Sequence, residues 1–340
     1  MKIRLLIASG DDDYAEHLSN YLSSKYKDAF FVSVCSTSQN LNELLAVSEF
    51  DAALLEPELI ADMNLSLIRL PLMLWDESAP GPYIRQDVAT IGKYQRISAI
   101  VCSVLEQYAK VSSDELNPGA GGARVTAVWS PAGGTGTTSV AIAYASRLSS
   151  CGNKALYLNM EYFSSSPAYF SDDGRSISAV FEMLEKNEGN LKMLIQAIIK
   201  QDAATGVYYF RRPENYDDVN ILSAEDISSL TTACAGAAEE LIIDLPCSCD
   251  VRTRQILKLS DRVLIVCDHT GASNVKLRQF ISQNSVYEQI KAKAILVGNK
   301  GFTYSGPEFD EKITLPIIQS ADAATVSKSM SGCVFEGDRK

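Results

Sequence analysis

Histidine is scarce in this chain. It holds only 2 in 340 residues, His17 and His269. Neither has a nucleophile as a sequence neighbour, which argues against a hydrolase triad. Long apolar runs are also missing, and none approaches the ~18 residues of a membrane span. No run of Lys or Arg occurs, and the net charge is -11. Sequence-independent nucleic-acid binding needs a basic surface, so no nucleic-acid partner is expected. The start, Met1-Lys2-Ile3-Arg4-Leu5, leads into a short strand and not into a leader with a cleavage site. The expected location is the cytoplasm. Cysteines number 8, but Cys/His pairs at zinc spacing are lacking: Cys247 and Cys249 form a C-x-C with no companion pair. Cys35, Cys102, Cys151, Cys234 and Cys267 sit in or beside apolar stretches and are expected to be small buried residues.

Apolar residues make up 46% of the chain, ordinary for a globular protein and, at this length, sufficient for two cores. Over the first third, short apolar runs alternate with amphipathic stretches. Ile3–Ala8, Phe30–Val34, Ala52–Leu55 and Leu70–Leu74 read as strands. Tyr14, Leu18, Tyr21 and Leu22 fall at helical spacing, Leu41–Val47 reads as a short helix, and Ile97–Tyr108 reads as a closing one. The repeated strand–helix units predict an α/β fold with a doubly wound parallel sheet. Residues 112–123 are rich in Gly, Pro and Ser and read as a linker between domains at 1–111 and 124–340. In the second domain Val125–Trp129, Ala155–Leu158, Leu241–Leu245, Arg262–Cys267 and Ala294–Val297 read as buried strands. The last nine residues, 332–340, are too short and mixed for a membrane-surface helix.

The first strand of the second domain runs into Ala132-Gly133-Gly134-Thr135-Gly136-Thr137-Thr138-Ser139 and then into apolar helical spacing at Val140, Ala143, Tyr144 and Leu148. Strand, glycine loop and helix in that order form a phosphate cradle: backbone N–H groups and the helix dipole face an anion. Thr138 is placed to offer its hydroxyl to Mg²⁺. A bare turn between strand and helix is the alternative reading of the loop. The strand Leu241–Leu245 ends in Asp244-Leu245-Pro246, where a carboxylate is placed to hold a water on Mg²⁺, or else to cap a turn. The strand Ala294–Val297 ends in Gly298-Asn299-Lys300, whose Asn has a donor and an acceptor for a base edge, or else shapes a turn.

The ordered set Gly-Gly-x-Gly-x-Thr-Ser, Leu-Asn-Met-Glu, Ile-Ile-Asp-Leu-Pro and Val-Gly-Asn-Lys resembles the MinD/ParA family of deviant Walker A ATPases. The likeness runs from about Arg124 to Ser331. It implies ATP and Mg as cofactors and a homodimer that sandwiches the nucleotide. It also implies a nucleotide site of Gly133, Gly134, Thr135, Gly136, Thr137, Thr138, Ser139, Asn299 and Lys300, with Thr138 and Asp244 on the Mg²⁺ side. The family loop carries two lysines. Here Ala132 and Thr137 stand at those positions. The family's water-positioning carboxylate matches only Glu161, in Asn159-Met160-Glu161, and the Ser-rich stretch 162–176 corresponds to its switch segment. Losing one lysine weakens binding about ten- to one-hundred-fold, because a hydrogen bond to a charged group contributes about 1.5–3 kcal/mol. It lowers phosphoryl transfer by about 10³ or more. Binding without substantial turnover is expected, unless Arg147, Arg175 or Lys300 replaces the lost cations.

The first domain resembles a response-regulator receiver. Glu56 stands at the phospho-acceptor position and Lys93 at the family's lysine, so the likeness implies a Lys93–Glu56 ion pair and a pseudo-receiver. The acidic pair is open by two residues: either Asp11 and Asp12, or Ser9 and Gly10. A helix N-terminus is the other reading of the residues at 11–13. A receiver-like domain joined to a degenerate MinD/ParA domain resembles the TadZ/CpaE group. That resemblance implies a scaffold, recruited to a cell pole, for the assembly proteins of a Tad (Flp) pilus or similar secretion machinery. No direct membrane insertion is expected. A nucleotide-free scaffold with a vestigial loop remains the other reading.

Overall fold

The computed structural model describes residues 2–27, 29–60, 65–76, 88–111, 122–186, 189–320 and 322–333. The chain divides into two compact units, Met1–Ser113 and Asp114–Lys340. The division falls within the segment read as a linker, of which 112–121 lie outside the described residues, as do the final residues from 334.

The first unit contains β1 (Ile3–Ala8), α1 (Asp12–Lys25), β2 (Phe30–Cys35), α2 (Ser38–Val47), β3 (Ala52–Leu55), β4 (Pro71–Trp75), β5 (Ala89–Gly92) and α3 (Ile97–Val111). Its five strands are parallel in the order β2-β1-β3-β4-β5. This is a common doubly wound order, whose crevice opens beyond the carboxyl ends of β1 and β3, where the winding reverses. All four residues of β3 are buried, as a strand covered by helices on both faces requires. The sequence does not announce β5, because at this sheet edge only Ile91 is buried. Asp11 caps α1 by accepting the Tyr14 N–H, and Ala15, Leu18 and Leu22 form its buried stripe.

The second unit contains β6 (Arg124–Trp129), α4 (Thr137–Ser150), β7 (Ala155–Asn159), α5 (Ser178–Lys186), α6 (Leu191–Ile198), β8 (Lys200–Gln201), β9 (Tyr208–Tyr209), α7 (Asp217–Asn220) and α8 (Ala224–Ala235). It continues with β10 (Glu240–Asp244), α9 (Val251–Leu259), β11 (Arg262–Cys267), α10 (Gly271–Ser282), α11 (Asn284–Ile290), β12 (Ala294–Gly298), β13 (Glu311–Thr314) and α12 (Ala323–Ser331). The sheet order is β13-β12-β11-β6-β10-β7-β9-β8, parallel except for the β8–β9 pair. The glycine loop therefore leaves the sheet at β6, with β10 and β11 on either side. The helix that follows, α4, is buried along Val140–Ala145 and at Leu148. It packs in one cluster with Val128, Tyr157, Ile242 and Leu264. A helix so enclosed holds its N-terminus in a fixed place over the sheet edge.

Cys35, Cys234 and Cys267 are buried and Cys102 is partly so. Cys151 departs from the expectation: it is exposed, because it lies just past the last turn of α4, where the chain turns at Gly152. Among the described residues, no helix is long and apolar enough to cross a membrane.

Candidate functional site

Parallel pairing brings the chemistry together. Asp244 registers with Val128 on one side and Asn159 on the other, and Cys267 registers with Gly298. The glycine loop, the Asn159–Glu161 turn, Asp244, Asp268 and Asn299-Lys300 thus share the carboxyl edge of the sheet, where open α/β sheets hold ligands.

Two glycines of the loop adopt left-handed backbone, Gly134 at φ 78° and Gly136 at φ 89°. Gly136 needs the absence of a side chain twice over, since a Cβ there stands 2.5 Å from Asn299 Nδ2. Gly136→Ala is expected to cost about 2 kcal/mol or more in denaturant unfolding, from backbone strain and displacement of Asn299. An unchanged midpoint contradicts this.

The loop is held from beneath. Ala132 N–H donates to Ser130 Oγ at 3.1 Å, and the Thr135 and Thr137 hydroxyls pair at 3.2 Å. Asn299 is 2% exposed. Its Nδ2 donates to the Thr135 carbonyl at 2.8 Å, and its Oδ1 accepts from the Lys300 N–H at 2.8 Å. In this arrangement the amide clamps the loop. Lys300, with φ 54°, donates from Nζ to the Gly134 carbonyl and to Asp268 Oδ2, each at 3.0 Å. Asp268 is 2% exposed. Its carboxyl is held below the usual range because bonds from Thr270 and Lys300 outweigh the opposing effect of burial. An Asp at the end of an apolar strand is the signal that marked Asp244, and Asp268 carries it at the end of β11.

Side chains cap α1, α6, α8 and α9, but α4 begins at Gly136 with none. Its first N–H groups receive no side-chain cap. Ser139 faces Tyr169, hydroxyl to hydroxyl, at 2.7 Å.

Asp244 is fully buried. Its Oδ2 accepts from the Tyr157 hydroxyl at 2.7 Å and from Asn159 Nδ2 at 3.2 Å. Oδ1 has no hydrogen-bond partner among the described residues. Burial, reinforced by the charge of Glu161, pushes the carboxyl up to about 7, although Tyr157, Thr138 and Asn159 pull the other way. Glu161 is half-buried, and burial raises it too. Asn159 ties the pair by accepting the Glu161 N–H at 2.9 Å. A buried carboxylate with one free oxygen beside a threonine hydroxyl fits a divalent cation. Asp244, through water, and Thr138 would hold Mg²⁺ there, where it would supply positive charge to phosphate oxygens.

The first unit gathers a separate cluster. Glu56 ends β3 and is 8% exposed. It accepts from the Ser9 hydroxyl at 2.6 Å, from the Gly10 N–H at 2.7 Å and from Lys93 Nζ at 2.7 Å. Ser9 and Gly10 therefore face Glu56. Asp11 caps α1 and also pairs with Lys93 at 3.3 Å. Asp12 stands apart, exposed in the first turn of α1, because one helical step rotates it away from Lys93. Burial lowers an ammonium, but the bond and charge of Glu56 outweigh it and hold Lys93 above its usual value.

No family model matches the chain, and a search of the curated proteins also finds no match. Solved structures do match. A ParA family ATPase from Chlorobium tepidum aligns at TM-score 0.51 and 17% identity, over 62% of this chain and 90% of that one. A plasmid partition protein from Borrelia burgdorferi aligns at TM-score 0.46 and 19% identity, over 62% of this chain and 96% of that one. MinD from Pyrococcus horikoshii, complexed with Mg-ADP, aligns at TM-score 0.45 and 13% identity, over 62% and 94%. The fold assignment rests on the first of these, together with the parallel sheet and the glycine loop. The chain is an α/β protein containing a domain that shares the fold of a ParA family ATPase.

Proposed function

We propose that the second unit binds ATP with Mg²⁺ and turns it over weakly or not at all. On this reading the chain acts as a dimeric positioning scaffold of a Tad (Flp) pilus or a similar secretion machinery, recruited to a cell pole. The observation that carries the nucleotide reading is the contrast within one site. Asp244 keeps a buried, unpartnered oxygen beside Thr138, while Ala132 and Thr137 stand where the resembling family has lysines. The cation side is built and the side that stabilises phosphoryl transfer is stripped. A phosphate-release assay tests the second half. Release at background level is expected; turnover at the rate of ordinary family members contradicts it.

A second reading rests on Lys300. Its ammonium reaches the Gly134 carbonyl from outside the loop, and its side chain is 43% exposed. Arg147 lies in the last turn of α4, far from the loop end of the helix, and Arg175 precedes α5. If Lys300 replaces a lost lysine, wild type releases phosphate and Lys300→Ala abolishes the release. If Lys300 only braces the loop, wild type stays at background and Lys300→Ala changes loop stability alone.

For the first unit, we read the 2-1-3-4-5 order and the Lys93–Glu56 pair as a pseudo-receiver that serves as an interaction module. Glu56 is already engaged by three donors. A small-molecule phosphodonor is therefore expected to leave the chain unlabelled, whereas stoichiometric labelling of Glu56 or Asp11 contradicts the reading.

A further inference from the structure

In the sheet of the first unit, β2 stands at the end of the strand order, with β1 on its one paired side. The Ile3 N–H donates to the Ala29 carbonyl and the Ser9 N–H to the Cys35 carbonyl. Backbone groups of one strand residue point to the same side, and the side alternates along the strand. Odd-numbered residues of β2 therefore face β1, and even-numbered ones face away. The Phe30 N–H is taken by the Tyr26 carbonyl at 3.1 Å. Among the described residues, nothing beyond the sheet takes the N–H and C=O groups of Val32 and Val34. Edges are normally guarded by Lys, Pro, a bulge or a very short strand. This edge, Phe30-Phe31-Val32-Ser33-Val34-Cys35, runs six residues. It carries no charge and no proline, and its register with β1 is unbroken. Phe31 is 62% exposed and Val34 41%. An edge of this kind is a template for another strand.

The spacing of the free groups selects the occupant. Two copies related by a two-fold axis normal to the sheet pair antiparallel, each residue opposite one of the same parity. With Ser33 on the axis, Val32 of each copy faces Val34 of the other. Those two pairs exchange two bonds each, so the groups of Val32 and Val34 are all used. With Val32 on the axis, Val34 would face Phe30, whose N–H is already engaged, and bonds would be lost. The side chains agree with the Ser33 register: hydroxyl meets hydroxyl at the axis, valine meets valine, and Phe31 meets Cys35. Charge agrees as well. The Lys2 ammonium lies 4.8 Å from the centre of the Phe31 ring, and the residues that follow Cys35, Ser36 and Thr37, are uncharged. An unrelated strand would gain the backbone bonds without this match.

We propose that β2 is a contact by which two copies of this chain pair, antiparallel and two-fold about Ser33, joining two five-stranded sheets into one. This contact holds whether or not the glycine loop binds ATP.

The test uses the full chain without nucleotide, so a failure of ATP binding leaves it unaffected. A directly opposed pair without hydrogen bonds has Cα atoms about 4.5 Å apart, within the disulfide range of about 4.4–6.8 Å. Ser33→Cys under mild oxidation is therefore expected to give a linked dimer, with the disulfide mapped from position 33 of one copy to position 33 of the other. Ser23→Cys, exposed on α1, should stay unlinked. In sedimentation equilibrium the reduced wild type should dimerise, and Val34→Lys should weaken the dimer at least about ten-fold by placing a cation on the edge. A wild type that stays monomeric at about 100 μM overturns the proposal. So does a dimer indifferent to Val34→Lys, growth past two copies into aggregates, a disulfide from position 33 to a native cysteine, or equal linking of the two cysteine variants.

Discussion

Asp244→Asn is expected to make the nucleotide-free protein more stable at about pH 8, although it removes a side chain at the centre of the candidate site. The Asp244 carboxyl is raised to about 7 in the fold, against an ordinary value near 4 in the unfolded chain. The unfolded chain releases this proton from about pH 4 upward, while the folded protein keeps it until about pH 7. Stability therefore falls with rising pH across that window, and the full penalty persists above it. A rise of about three units corresponds to about 4 kcal/mol. Asparagine carries no charge and keeps an oxygen for Tyr157 and Asn159, so it removes most of this penalty, about 2–4 kcal/mol. Its NH₂ replaces the oxygen that lacks a partner. Urea unfolding across the pH range checks this: the gap between variant and wild type should be small near pH 4 and largest above about pH 7. The same variant should lose any Mg²⁺ dependence of nucleotide binding. A destabilised variant at high pH means that the free oxygen has a partner and the cation reading fails.

Lys93→Met is expected to have the opposite sign. Methionine keeps the apolar stem that passes the Tyr14 and Tyr94 rings, which lie 4.9 and 5.1 Å from the ammonium, and removes only the charge. Glu56 then keeps Ser9 and Gly10 as donors but loses its countercharge. Removing one partner of a buried pair costs about 3–5 kcal/mol, and the two remaining donors place the expected loss near 3. Because Lys93 is held above its usual value, its side of the pair is intact through neutral pH and fades only above about pH 10. The loss in the variant should therefore not change between about pH 6 and 9. Adding Glu56→Gln to Lys93→Met should restore most of the stability, because no buried charge then lacks a partner. A near-neutral single variant contradicts the pairing.

The legible parts of the sequence are those where burial writes the pattern. Leu5–Ala8, Ala52–Leu55 and Val263–Cys267 are continuous apolar runs because helices cover both faces of their sheets, and each lies wholly within a strand. Short strands toward the sheet margins carry little pattern: β5 and β13 each bury one residue, and β8 and β9 are two residues long. At the site, strand-end positions were readable because parallel strands finish at one edge. Side-chain partnerships were not. Asn299 offers the same groups to a base or to a backbone, and only the fold shows them meeting the loop. Tyr157 lies in the middle of β7 with no sequence mark, yet its hydroxyl holds Asp244. Arg252 likewise looks like any helical cation until Tyr162 and the Val219–Asn220 carbonyls, from two distant segments, converge on it beside Asp250.

The central claim is that this loop holds ATP without turning it over. Titration calorimetry of the full chain with ATP and Mg²⁺ tests both halves in one cell. The expected trace shows saturating binding heat that returns to baseline after each injection. No heat at millimolar ATP contradicts the binding, and a sustained heat of hydrolysis after saturation contradicts the absence of turnover.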